Sequence, residues 1–290
     1  MKLYPECVPC MLQRAILFCR DEEEEVRYRV MRELCELFSK RVSPKITTTE
    51  IAYERNKIIE KITHNLDPMK DIKEESIRKA LRVYPRIKKY VDRIKDDKKR
   101  FGTAMRIALA GNLIEFGARD HVIDLDRLEE EICDVINERL IIDDTDGIYE
   151  KVKNSDEILY VTDNAGELVF DRILIRELLR YAEVIIAPLS RPVQDDAWLE
   201  DVKRLKIDET CKIVPRGDFI GIWFEKCTPE FVREFDNADL IIAKGMGCYE
   251  TLVDYPERFN GRIALLMKAK CEPVAKDVNV PLGSGVIMLI

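Results

Sequence analysis

The sequence predicts an α/β protein in which a mainly helical first half, residues 1–140, precedes a mostly parallel sheet in residues 141–290. Three observations carry this reading. Apolar residues recur every three or four positions through the first half, short continuous apolar runs replace them from about Glu157, and helical stretches separate those runs.

In the first half, Val26, Val30, Leu34, Leu37 and Phe38 share one helix face. Ile58, Ile59 and Ile62 do the same, as do Ile107, Ala110 and Ile114, and then Leu128, Ile132 and Ile136. Pro44, Pro68 and Pro85 predict helix boundaries. In the second half the apolar runs are Ile158–Val161, Val184–Ala187, Leu240–Ala243 and Ile263–Met267, with a shorter Ile213-Val214 and a last strand at Val286–Ile290. Uninterrupted apolar runs alternating with helices predict buried, mostly parallel strands. The sequence contains no internal repeat and no low-complexity tract.

A chain of 290 residues, 46% hydrophobic, buries a full core and is not disordered. Charged residues make up 36% with both signs abundant, which fits a thermophile's surface ion-pair networks. The net charge of -7 gives the surface no overall attraction for nucleic acid. The basic run Lys95–Arg100 is interrupted by Asp96 and Asp97 and reads as a solvated helix face. No apolar run reaches transmembrane length and no signal-peptide core is present, so a cytoplasmic location without membrane contact is expected. Nine cysteines, an odd and scattered count, argue against a disulfide framework. Only two histidines occur, His64 and His121, both beside polar residues and both expected to be surface or structural. A catalytic metal therefore has to rely on carboxylate, amide, carbonyl or thiolate ligands. Nothing in the sequence specifies an oligomeric state.

Open α/β sheets bind ligands beyond the carboxyl ends of their strands. After Ile158–Val161 come Asp163, Asn164, Ala165, Gly166 and Glu167; after Val184–Ala187 come Arg191, Gln194, Asp195 and Asp196. Arg216-Gly217-Asp218 follows Ile213-Val214, Lys244-Gly245-Met246-Gly247 follows Leu240–Ala243, and Lys268-Ala269-Lys270-Cys271 follows Ile263–Met267. Acids, an amide, lysines and glycines are thus expected to converge on one edge. Asp163, Asn164 and Asp196 supply hard oxygen ligands suited to magnesium or manganese. Lys244 and the amides around Gly245 and Gly247 are candidates for holding phosphate oxygens, and Lys268 or Lys270 for neutralising charge in the transition state.

Simpler roles stand beside these. Asp163 and Asn164, or Asp195 and Asp196, are also favoured helix caps. Gly245-Met246-Gly247 is a poor dinucleotide signal, because Glu250 stands where the third glycine belongs, and no Walker A sequence occurs. Cys7-Val8-Pro9-Cys10 is open to structural, redox and metal-binding readings, with Cys271 as a possible third thiolate; a closed zinc site wants four ligands.

At these residues the chain resembles the damage-control phosphatase family, long labelled domain of unknown function 89, and in particular its prokaryotic branch with an N-terminal CxxC. The resemblance runs from Cys7-Val8-Pro9-Cys10 through Asn65-Leu66-Asp67-Pro68 and Ala110-Gly111-Asn112-Leu113-Ile114-Glu115-Phe116. It is most specific at Asp163-Asn164-Ala165-Gly166-Glu167, at Lys244-Gly245-Met246-Gly247-Cys248-Tyr249-Glu250-Thr251-Leu252 and at Lys268-Ala269-Lys270-Cys271. It implies a helical domain attached to a three-layer α/β catalytic domain. It also implies metal-dependent hydrolysis of small phosphometabolites such as sugar phosphates, with manganese, cobalt, nickel or magnesium as the divalent ion. Asp163 and Asn164 match the family's metal-binding pair and Asp196 its third ligand. Glu167, Gly245, Gly247 and Lys268 are the candidates for contact with the substrate. The chain departs from the family at Asp195, where Asn is frequent, at Trp198, where Thr is frequent, at Cys248 for Asn and at Glu115 for Asp. The choice between Asp195 and Asp196 stays open at this point.

Two other functions compete with a phosphatase. One is a methyltransferase-like transferase, although the loop after the first expected strand, Asp163–Glu167, lacks the usual glycine-rich cofactor pattern. The other is a non-catalytic metal- or redox-responsive binding protein built around Cys7 and Cys10.

Overall fold

The computed structural model describes residues 1–111, 134 and 136–290. Ile114, Leu128 and Ile132, together with Asn112, Glu115 and His121, lie outside the described residues.

Helices α1 (Cys7–Phe18), α2 (Glu24–Arg41) and α3 (Thr48–Thr63) pack on one another through Met11, Ala15, Phe18, Val30, Leu34, Phe38, Ile51 and Ile59. A capping box starts α3: Glu50 N donates to Thr47 Oγ1 at 3.2 Å and Thr47 N donates to Glu50 Oε2 at 2.8 Å. His64 ends α3 as an exposed residue in the left-handed region, with φ 56°.

Helices α4 (Lys70–Asp92) and α5 (Asp97–Ala110) come next. Pro68 precedes α4, as expected, but Pro85 does not end it. It sits on the exposed side of α4, where water can reach the carbonyl left without a partner, while Val83, Ile87 and Val91 continue the buried stripe.

The strands are β1 (Ile142–Asp143), β2 (Glu157–Val161), β3 (Glu183–Ala187), β4 (Lys212–Ile213), β5 (Leu240–Lys244), β6 (Ile263–Lys268) and β7 (Gly285–Leu289). They form one sheet in the order β1-β7-β6-β5-β2-β3-β4, parallel throughout except for β6 against β7. The two-residue β1 was not expected, although the short apolar run Leu140-Ile141-Ile142 leads into it. Between the strands run α6 (Thr145–Lys153), α7 (Leu168–Leu178), α8 (Leu199–Arg204), α9 (Pro229–Asn237), α10 (Gly245–Leu252) and α11 (Glu272–Val278).

Strand alternation sorts the core into two faces. Ile158, Tyr160, Ile186, Ile242, Ala264 and Leu266 face α4, α5 and α7. Leu159, Val161, Ile185, Ala187, Ile241, Ala243, Leu265 and Met267 face Phe231 and Phe235 of α9 and Leu252 of α10. The result is three layers, helix, sheet and helix. Packing does not follow the change of secondary structure near residue 140: α4 and α5 belong to the sheet's core, and α1–α3 keep a core of their own.

From β2 the chain moves to β3 and β4 on one side, then returns to β5 on the other side of β2. Such a reversal opens a crevice at the carboxyl ends of the two strands. Asp163 stands beyond one of them and Gly245 beyond the other.

Candidate active site

Two loops are joined by main-chain hydrogen bonds at the mouth of that crevice. Ala197 N donates to Asp163 O at 2.7 Å, and Ala165 N donates to Asp195 O at 2.9 Å. This pairing brings Asn164 opposite Asp196 and sets Asp163, Asn164 and Asp196 together. None of them is a helix cap: Glu167 holds the N-cap position of α7, and Trp198 that of α8.

Each of the three is fixed by groups further out. The Asn164 side-chain amide donates to Glu167 Oε1 at 2.9 Å, which leaves its oxygen as the end available to a cation. Arg216 Nη2 reaches Asp196 Oδ2 at 3.4 Å, while Nη1 donates to Ala187 O at 2.7 Å and Nε to Gly221 O at 3.1 Å. Asp163 presses on Gly245, where a Cβ would fall 2.0 Å from Asp163 Oδ2. Gly245 also has φ +81°, so glycine is required there twice over.

Burial pushes the Asp163 carboxyl well above the ordinary range, and the neighbouring Glu167 and Asp196 push it further. Burial raises Asp196 to about 7, with Arg216 opposing the shift. Two acids that act on each other, beside an amide oxygen, form an oxygen donor set that a divalent cation would relieve of its repulsion. Asp196 is among the charges acting on Asp163. The Asp195 carboxylate lies 3.7 Å from Arg14.

The other expected residues divide. Gly247 lines the cleft; Lys244, Gly245, Glu167 and Lys268 do not. Lys244 is fully buried, and its ammonium donates to Ala108 O at 2.8 Å, Glu167 Oε2 at 2.9 Å and Asp171 Oδ1 at 2.8 Å. Its three donors are used, so it has none for a phosphate. The reason is strand parity: Lys244 follows Leu240 and Ile242 onto the α5 and α7 face. There it meets a carbonyl at the C-terminal end of α5, where a cation is favoured. Glu167 is likewise a clamp, with one oxygen on Asn164 and the other on Lys244. Past the end of β6, Lys270 takes the place in the cleft expected for Lys268, and its charge acts on Asp163.

The cleft holds about 880 Å³ between α1–α3 and the carboxyl edge of the sheet. Thr48 Oγ1 donates to Glu250 Oε2 at 2.6 Å and ties α3 to α10 across its floor. Cys7, Cys10 and Cys271 also line the cleft. Among the described residues no three His, Cys, Asp or Glu side chains are arranged to hold a metal ion. Burial pushes the Cys7 and Cys271 thiols up, which disfavours reactive thiolates. Replacing both Cys7 and Cys10 with serine is expected to lower the melting temperature while metal-saturated turnover per folded molecule stays nearly unchanged. Melting curves and turnover measured on the same double variant check this; an intact melt with turnover lost would assign the cysteines to the chemistry.

Sequence reasoning passed over Arg216 as a support and Arg14 and Arg55 as cleft residues. Arg55 carried a readable signal, since Ile51, Arg55 and Ile59 form one helical row with a charge in the middle of a buried stripe.

The fold and the sequence agree on relatives. The solved structure of a DUF89 family protein from Pyrococcus horikoshii superimposes with a TM-score of 0.88 at 33% identity, covering 100% of this chain and 99% of that one. A protein of the same organism named damage-control phosphatase is 35% identical over 297 residues, which are 99% of this chain and 98% of the relative. An uncharacterized protein of Methanocaldococcus jannaschii is 35% identical over 294 residues, 99% of this chain and 95% of the relative. Residues 3–286 match the damage-control phosphatase ARMT1-like domain, and the chain belongs to that family.

Proposed function

We propose that the protein is a metal-dependent phosphatase acting on small phosphorylated metabolites, sugar phosphates or related damaged compounds. The observation that carries this is the pair of carboxylates, half-buried Asp163 and buried Asp196, held beside the Asn164 amide oxygen at the switch point of the sheet. Asp163, Asn164 and Asp196 would hold one divalent ion, manganese, cobalt, nickel or magnesium. Bound there, the ion would polarise a phosphoryl oxygen and ease ionisation of the attacking water.

The chain's own residues prepare that chemistry. Glu167 fixes the Asn164 amide, and Arg216 fixes Asp196 in the position where it meets Asp163. Gly247, in the first turn of α10, and Lys270 supply backbone and ammonium donors on the same side of the cleft. Family membership and the relative named a damage-control phosphatase support hydrolysis over methyl transfer. No helix among the described residues is long and apolar enough to cross a membrane.

Phosphate release from a panel of sugar phosphates and nucleotides is the test. Protein stripped with a chelator is expected to be inactive and to recover with manganese, cobalt, nickel or magnesium. Turnover that ignores the chelator would remove the metal from the mechanism.

A further inference from the structure

The cleft contains a buried guanidinium with no acidic partner among the described residues. Arg55 is 1% exposed and lines the cleft. Its Nε and Nη2 donate to Asn56 Oδ1 at 3.1 and 2.8 Å, its Nη1 points to Met11 O at 3.5 Å, and the Phe18 ring lies 5.2 Å away. These are all neutral acceptors. Arg216, buried to the same degree, meets Asp196, whereas no ion pair to a carboxylate is found for Arg55 among the described residues. A buried charge without a counter-charge is disfavoured, and the Phe18 face compensates it only in part.

Arg14 brings a second guanidinium to the cleft. It lines the same cleft, donates to Gln194 Oε1 at 2.8 Å and lies 3.7 Å from the Asp195 carboxylate. Its charge acts on both Arg55 and Asp196. Burial pushes Arg55 down to about 9, and the like charge of Arg14 adds to the shift. Among the described residues the one group acting in the opposite sense is the Cys10 thiol. Arg55 still keeps its proton near neutrality, so a positive charge persists in this wall of the cleft.

Resting on the phosphatase reading above, we propose that Arg55 and Arg14 form a subsite for a second anionic group of the substrate. The favoured substrates are then phosphate esters that also carry a carboxylate or a further phosphate. The acidic site and Lys270 take the phosphoryl group to be cleaved; the two arginines, from α3 and α1, take the second anion on the opposite wall. Guanidinium forks match the planar oxygens of such groups, and an anion between two like charges relieves both.

Calorimetric titration of the manganese-loaded protein tests this with two non-hydrolysable phosphonates of similar length. 2-Carboxyethylphosphonate has the second anion and propylphosphonate lacks it. The first is expected to bind wild type about ten-fold tighter, a free-energy difference of one decade in affinity. That advantage should vanish in Arg14→Gln and shrink in Arg55→Lys, while propylphosphonate binds all three proteins alike. Melting curves report folding, and Arg14→Gln, at the more exposed position, carries the test if Arg55→Lys does not fold. Equal affinities in wild type overturn the proposal, as does no binding of either compound. So does an advantage that survives Arg14→Gln, or a parallel loss of both compounds, which would place the arginines on the phosphoryl group itself. Phosphate release separates the subsite from the activity. Turnover of esters with no preference for a second anion overturns the subsite alone. Carboxylate-dependent phosphonate binding without turnover of any ester overturns the phosphatase reading alone.

Discussion

Asp163→Ala is expected to lower phosphate release by about a thousand-fold, since Lewis-acid stabilisation is worth several kcal/mol and each 1.4 kcal/mol is about a decade in rate. The loss should come with an intact fold. Glu167 and Asp196 push the Asp163 carboxyl up, so removing it relieves repulsion in the metal-free protein. The melting temperature without metal should therefore be no lower than that of wild type, and the rise in melting temperature on adding manganese should disappear. Asp195→Ala should have a far smaller effect, because the Asp195 carboxylate is directed to Arg14 rather than to Asp163. Full turnover in Asp163→Ala would remove this residue from the site.

The second large effect is on stability. Lys244→Met should destabilise the protein by about 4 kcal/mol in denaturant unfolding, the usual cost of removing one partner from a buried ion pair. The substitution leaves Glu167 and Asp171 buried without their cation and frees the carbonyl of Ala108. Burial already raises Asp171 to about 6, with Lys244 holding it down, so the variant's carboxyl should titrate higher still. A carboxyl whose folded pKa is raised costs stability as pH climbs from its unfolded value to its folded one. The gap between variant and wild type should accordingly widen as pH rises through about 6 and narrow in acid. A variant as stable as wild type at pH 8, with turnover lost and its metal kept, would return Lys244 to the substrate.

Much of the fold was legible because its causes are local. The runs at Ile158–Val161, Val184–Ala187, Leu240–Ala243 and Ile263–Met267 became strands within a residue of their expected limits, since continuous apolar sequence has to be buried on both faces of a sheet. Pro85 departs from expectation because the rule that proline ends a helix assumes the freed carbonyl has no other partner. On the exposed side of α4 it has water.

Placement beyond the strand ends was legible too. Asp163, Asn164 and Asp196 come soon after β2 and β3, and parallel strands deliver the residues beyond their carboxyl ends to one edge. The role of each polar residue there was decided by neighbours distant in sequence. Lys244 was spent on Ala108, Glu167 and Asp171, contacts that span 136, 77 and 73 residues of chain. Arg216 found its acid 20 residues away, and Arg55 found none among the described residues. The sequence by itself determined which residues reach the carboxyl edge, because hydrophobic periodicity is a short-range property of the chain. Only the tertiary structure decided which charges are satisfied inside the protein and which face the cleft, because a buried charge is stabilised by whatever the folded chain places within a few ångströms of it.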